Sequence, residues 1–270
     1  MTHSLTVIVS LMCIPFCLGY TQYSRWQAIK LSSVTTNVHL STSYNNIESP
    51  FSLWYEEIMH LFNTKMHDFT FPITIQSDYA LNRGKLGNSS IEFQCNAFKS
   101  SKYIDYLRYV SFQSVELGTN DTKIATNKFS VFNFVVLPNL DYNIPILGID
   151  IITLPGGSLA AIDFQPLVSG NDSSDYENYF NSSIYKPYKE IFNKHINKFP
   201  SGGELPEKSR KFFSPYVLWT RLPNSEILTV QSALYEYVTT YIDVINKAVA
   251  EDRSVIHNKH KFLQEYLTYR

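Results

Sequence analysis

The sequence has no G-x-G-x-x-G, no G-x-x-x-x-G-K-[ST], no G-x-S-x-G and no H-E-x-x-H. The first two absences argue against dinucleotide and P-loop phosphate binding. The last two argue against a hydrolase elbow and a zincin helix. Cysteine is scarce. Of three, Cys13 and Cys17 fall in the first twenty residues, which leaves Cys95 alone in the rest of the chain. A lone cysteine cannot close an internal disulfide, and no CxxC pair or Cys/His cluster suggests zinc or iron–sulfur. The seven histidines show no ligand spacing, so no metal site is expected. Net charge is −1, and no basic field argues for nucleic acid. Internal repeats, heptads and long low-complexity tracts are also missing. Aromatic residues, by contrast, are plentiful, with 19 Tyr and 18 Phe. They pack cores, and they can line a pocket for a flat conjugated ligand.

Acidic residues are absent up to Glu48. Residues 5–19 (LTVIVSLMCIPFCLG) form an apolar run too short for a membrane span and broken by Pro15, which reads as a signal peptide over 1–19. Residues 20–48 are rich in Ser and Thr, carry Arg25 and Lys30, and read as a transit segment. The two in series are what import into a complex plastid requires. A plain secreted glycoprotein is the rival reading, supported by sequons at Asn88, Asn120, Asn171 and Asn181. The lone cysteine argues against it, since secreted domains usually carry disulfides.

The folded domain is expected over 49–270. Residues 51–63 (FSLWYEEIMHLFN) place Phe51, Trp54, Ile58 and Phe62 at helical spacing. Alternation through Ile91, Phe93 and Cys95 predicts a strand. Residues 128–137 (KFSVFNFVVL) and 145–154 (PILGIDIITL) are apolar on both faces, as central covered strands are. Pro155-Gly156-Gly157-Ser158 predicts a hairpin turn, with the strand returning over 158–164. Helices are expected over 179–196, near 207–213 and over 227–248, with a strand after Ser214-Pro215 that closes at Arg221. A sheet flanked by helices is the natural α/β architecture.

Few residues in this frame can carry chemistry. Asp150 lies among Ile149, Ile151 and Ile152. Desolvation disfavours a charged carboxylate, and a carboxyl raised in this way donates protons near neutral pH. If Gly156-Gly157 forms the two-residue loop, Asp150 stands opposite Asp163, and the pair would share a proton. Asn133 is the lone amide of its strand; if buried it needs partners, and it could orient a ligand carbonyl or a water. In KFFSPYVLWTR (211–221), Ser214 starts the strand segment and Arg221 could pair with a ligand carboxylate.

Together, residues 133–167 (NFVVLPNLDYNIPILGIDIITLPGGSLAAIDFQPL) and 205–221 (LPEKSRKFFSPYVLWTR) resemble the ferredoxin-dependent bilin reductases. The likeness runs from about residue 50 to the C-terminus, and the Pro-x-x-Gly-x-Asp and Asp-Phe-Gln-Pro elements at this spacing carry it. The resemblance implies a three-layer α/β/α sandwich around a central antiparallel sheet, with an open-chain tetrapyrrole bound between the sheet and the C-terminal helices. It implies no bound cofactor, single electrons from reduced ferredoxin, protons from the protein, and a monomer with no membrane span after processing. Asp150 matches the family's proton donor. Asn133 stands where phycocyanobilin-forming members have His, which points to the other branches. The substrate would be biliverdin or 15,16-dihydrobiliverdin, and the favoured step is 15,16-dihydrobiliverdin to phycoerythrobilin. Formation of 15,16-dihydrobiliverdin or phytochromobilin, and a non-catalytic bilin carrier, are the alternatives. The family carries a second functional aspartate in an Asp-Pro-x-Arg-Gly-like element on its C-terminal helices. Nothing up to Arg270 matches it, which implies a shortened chain or a missing second donor.

Overall fold

The computed structural model describes residues 50–269, except 69, 76–80, 87–88, 117–125, 168–179, 206–209 and 252. The expected signal and transit segments lie outside these residues, as do Asn88, Asn120 and Asn171. Asn181 is exposed in a turn. Residues 47–256 make one compact unit, and 257–269 belong to a second.

The first helix, α1 (Pro50–Lys65), follows from its apolar spacing. Phe51, Trp54, Ile58 and Phe62 fall on one stripe and all are buried. Eight strands follow: β1 (Thr70–Ile73), β2 (Leu81–Leu86), β3 (Ser89–Ser100), β4 (Ile104–Glu116), β5 (Thr126–Pro138), β6 (Ile146–Leu154), β7 (Gly157–Gln165) and, later in the chain, β8 (Leu218–Leu222). They form one antiparallel sheet in the order β1-β3-β4-β5-β6-β7-β8, with β2 pairing β3 beside β1. Between β7 and β8 lies α2 (Lys186–His195). After β8 come a short 3₁₀ turn, Asn224–Thr229, and then α3 (Val230–Ile245). The C-terminal helix α4 (Arg253–Tyr269) falls mostly in the second unit.

The sheet's alternation decides what each strand buries. Phe132 and Phe134 of β5, Ile149 and Ile151 of β6, and Ile162 and Phe164 of β7 point to one face and are fully buried. That face carries α1, α2 and α3. Phe51 and Trp54 meet Phe132 edge-on, and Tyr55 stacks on Tyr109 at 4.1 Å between ring centroids. Phe164 lies under three parallel tyrosines, Tyr188, Tyr237 and Tyr241, at 3.6, 5.0 and 6.0 Å. Each such ring contributes about 1.5–3 kcal/mol by removal from water. Burial also pushes the Tyr237 hydroxyl far up from its ordinary pKa, with Asp163 adding to the effect.

The expected central strands and the helix–sheet architecture are present. The turn differs. Leu154 pairs with Gly157, so the loop is Pro155-Gly156 and not Gly156-Gly157. Pro155 presets the first turn position. Gly157, at φ 133°, carries a backbone that L side chains rarely adopt, and a Cβ there would lie 3.0 Å from the Leu222 carbonyl of β8. The register therefore places Asp150 opposite Ala161 and Asp163 opposite Gly148. The facing pair of aspartates expected from the sequence does not form.

Other boundaries also moved. α2 begins at Lys186, beyond turns at 181–185, and β8 begins at Leu218, with a turn at Pro215 and Tyr216. Near 207–213, the described residues are one helical position at Arg210 followed by turns. β1, β2, β4 and α4 have no counterpart among the expected elements.

Candidate active site

The face opposite α1–α3 has a different chemistry. A row of residues crosses it at right angles to the strands: Val110 of β4, Asn133 of β5, Asp150 of β6, Ala161 of β7 and Trp219 of β8. A second row, offset by two residues, runs through Arg108, Val135, Gly148 and Asp163. Asn133 and Asp150 are direct cross-strand partners, and the Asn133 Nδ2 donates to Asp150 Oδ1. Arg108 Nη2 donates to Asn133 Oδ1 at 2.7 Å. A guanidinium, an amide and a carboxylate thus run in series across three strands. Arg108 is 3% exposed and Asn133 8%, while Asp150 is half-buried. The cation and the amide are held inside the fold, and the carboxylate stands at its boundary.

Arg108 shapes its surroundings. Burial raises the Cys95 thiol, and the guanidinium opposes part of that rise. Burial likewise pushes the Tyr106 hydroxyl up to about 12, against the same cation. Both groups are therefore neutral near pH 7. Gly148 sits between Arg108's row partner Val135 and Asp163. The amide of Gln165 lies over it, so that a Cβ at 148 would be 3.0 Å from Gln165 Cδ. A side chain there would displace the glutamine.

Of the five expected site residues, the structure joins Asn133 to Asp150, and Asp163 to Ser214. Asp163 is 1% exposed. It accepts from the Ser214 N–H at 2.9 Å and from its Oγ at 2.5 Å. Ser214 Oγ in turn accepts from the Tyr216 N–H at 3.0 Å. These bonds tie the segment before β8 to β7, which gives Asp163 an anchoring contact. Arg221 pairs with Leu159 on the same face as Asp150, two strands away, and is exposed. Arg108 was missed. An arginine among β4's mixed residues resembles a solvated side chain. The signal was its parity: it alternates with Val110 and Phe112 on one face, while Leu107 and Tyr109 take the other.

What can this arrangement do? A carboxyl such as Asp150 is a group that can donate or accept a proton, and its row continues through Asn133 on one side and Ala161 and Trp219 on the other. The ferredoxin-dependent bilin reductase family model matches residues 62–270. The chain belongs to the ferredoxin-dependent bilin reductase family.

Similar curated proteins are phycoerythrobilin:ferredoxin oxidoreductases of cyanobacteria. That of Nostoc punctiforme is 36% identical over 53% of this chain and 55% of its own. That of Synechococcus sp. strain RCC307 is 30% identical over 68% of each chain. The first of these matches thus spans little more than half of the relative's length. The crystal structure of phytochromobilin synthase from tomato, in complex with biliverdin, shares the fold. Its TM-score is 0.63 at 22% identity, covering 81% of this chain and 72% of that one.

Proposed function

We propose that this protein reduces an open-chain tetrapyrrole, and that its step is 15,16-dihydrobiliverdin to phycoerythrobilin. Two electrons would arrive singly from reduced ferredoxin, and two protons would be added, one of them from Asp150. The observation that carries the reading is the Asn133–Asp150 pair, facing across β5 and β6 on the sheet face opposite α1–α3. The naming of several relatives for phycoerythrobilin supports the choice of step. Asn133 would orient the bilin beside the acid. Arg221, exposed on the same face, would meet a propionate, and Asp163 and Ser214 would hold the adjoining wall. The protein would carry no resident cofactor and act as a monomer. The apolar run at 5–19 and the acid-free stretch up to Glu48 support a plastid location. Among the described residues, no helix is long and apolar enough to cross a membrane.

An anaerobic assay with reduced ferredoxin tests this directly. Phycoerythrobilin is the expected product from 15,16-dihydrobiliverdin. Consumption of biliverdin instead would move the protein to an earlier step. Tight binding of both bilins without turnover would make it a carrier.

A further inference from the structure

We infer that Arg108 is a positioning residue that holds the Asn133 amide in one orientation and so decides which oxygen of Asp150 bears the transferable proton. The inference rests on the reading of Asp150 as proton donor.

A guanidinium has only donors. The end of Asn133 that meets Arg108 Nη2 at 2.7 Å must therefore be its carbonyl. The other end of the amide is its NH₂, and that end faces Asp150 Oδ1. An amide NH₂ donates, so Oδ1 must accept. The carbonyl oxygen is the better acceptor of a protonated carboxyl, so a proton on Asp150 is favoured on Oδ2, directed away from Asn133. The orientation follows from chemistry alone, because arginine cannot accept.

An ionised Asp150 would itself hold the NH₂, since a carboxylate only accepts; once Asp150 is protonated, Arg108 is what fixes the amide. The terminal torsion of asparagine is broad and roughly two-fold, so a half-turn is cheap. Turned over, the Asn133 carbonyl would accept a proton from Asp150 Oδ1 and hold it within the sheet. The acid would keep its proton and lose its direction of delivery. Arg108 itself is firmly placed: at 3% exposure a cation needs partners, and a charge-assisted bond to the amide carbonyl is among the stronger ones available.

The test compares full-length wild-type, R108K, R108Q and R108M. Two quantities are read: the Asn133 side-chain amide resonance in ¹⁵N-labelled protein, assigned with N133L, and single-turnover reduction of bound 15,16-dihydrobiliverdin by reduced ferredoxin. Lysine also only donates, so R108K keeps the wild-type resonance and most of the rate. Glutamine can present either end, and methionine presents neither. Both should shift the resonance and slow reduction about tenfold, part of the range a placed general acid supplies. Bilin Kd stays within about threefold. In an N133L background, R108M adds no further slowing. A wild-type resonance in R108M overturns the inference, as does an R108K as slow as R108M, or a loss of binding that accounts for the lost rate. Failure of the functional reading looks different: wild-type protein reduces no bilin, while the resonances still report the amide's orientation.

Discussion

The two faces of the sheet are built from the same strands and differ by one residue in phase. On β5, Phe132 and Phe134 enter the helix-covered core, while Asn133 between them joins Arg108 and Asp150. On β7, Phe164 lies under three tyrosines, while Asp163 beside it holds Ser214. Apolar packing and polar contacts are thus interleaved along these strands. The core face fixes the backbone of every site residue, because a register slip that rescued one face would expose the other.

This contrast can be broken most severely at Phe164. Phe164→Ala removes the ring under Tyr188, Tyr237 and Tyr241 and should cost about 3–5 kcal/mol in urea unfolding. The fraction that remains folded should reduce bilin at nearly the wild-type rate. Asp150→Asn should do the reverse. Single-turnover reduction falls about 10²–10³-fold, while bilin Kd and the unfolding midpoint stay near wild-type. A loss of binding would make Asp150 a structural residue.

Asp163→Asn sharpens the comparison, since Asp163 shares the site face but serves as an anchor. Weakening its two bonds to Ser214 should cost about 1–3 kcal/mol, measured by denaturation. The pH–rate profile should keep its shape, because the register separates Asp163 from Asp150. The smallest effect is expected at Asp68, which bonds to residues around the turn between β3 and β4. Burial alone would raise its carboxyl. Hydrogen bonds from Ser100, Ser101 and the Lys102 and Tyr103 N–H groups outweigh this and hold it below the ordinary value. Its contribution is therefore complete above about pH 4 and is lost as pH falls through the depressed value. Asp68→Asn should cost about 0.5–1 kcal/mol at neutral pH and flatten the decline in stability below about pH 4.

The central strands were legible because their residues are apolar on both faces, a pattern that a covered strand alone explains. β5, β6 and β7 were found for that reason, and Asn133 and Asp150 stood out as polar residues within them. β4 was not found, since Tyr106, Arg108, Ser111 and Gln113 break its apolar run, and Arg108 was lost with it. The turn register was misjudged for a different reason. Pro-Gly-Gly permits two two-residue loops. The choice between them is tied to the approach of the Leu222 carbonyl to Gly157, a contact with a strand more than sixty residues further along the chain. Local sequence cannot show that approach. Nor could it show that Ser214 would meet Asp163, since that bond also depends on how β8 returns.

The strand order has a kinetic consequence. From β3 to β7, every strand pairs with its neighbour in the chain, so each ladder closes over a hairpin connection. β8 reaches β7 only after the long excursion through α2. Loop-closure entropy favours the meander first and the distant strand later. The strands that carry Arg108, Asn133 and Asp150 belong to the part of the molecule that can find its register by local steps. Ser214, Trp219 and Arg221 belong to the part that must arrive from afar.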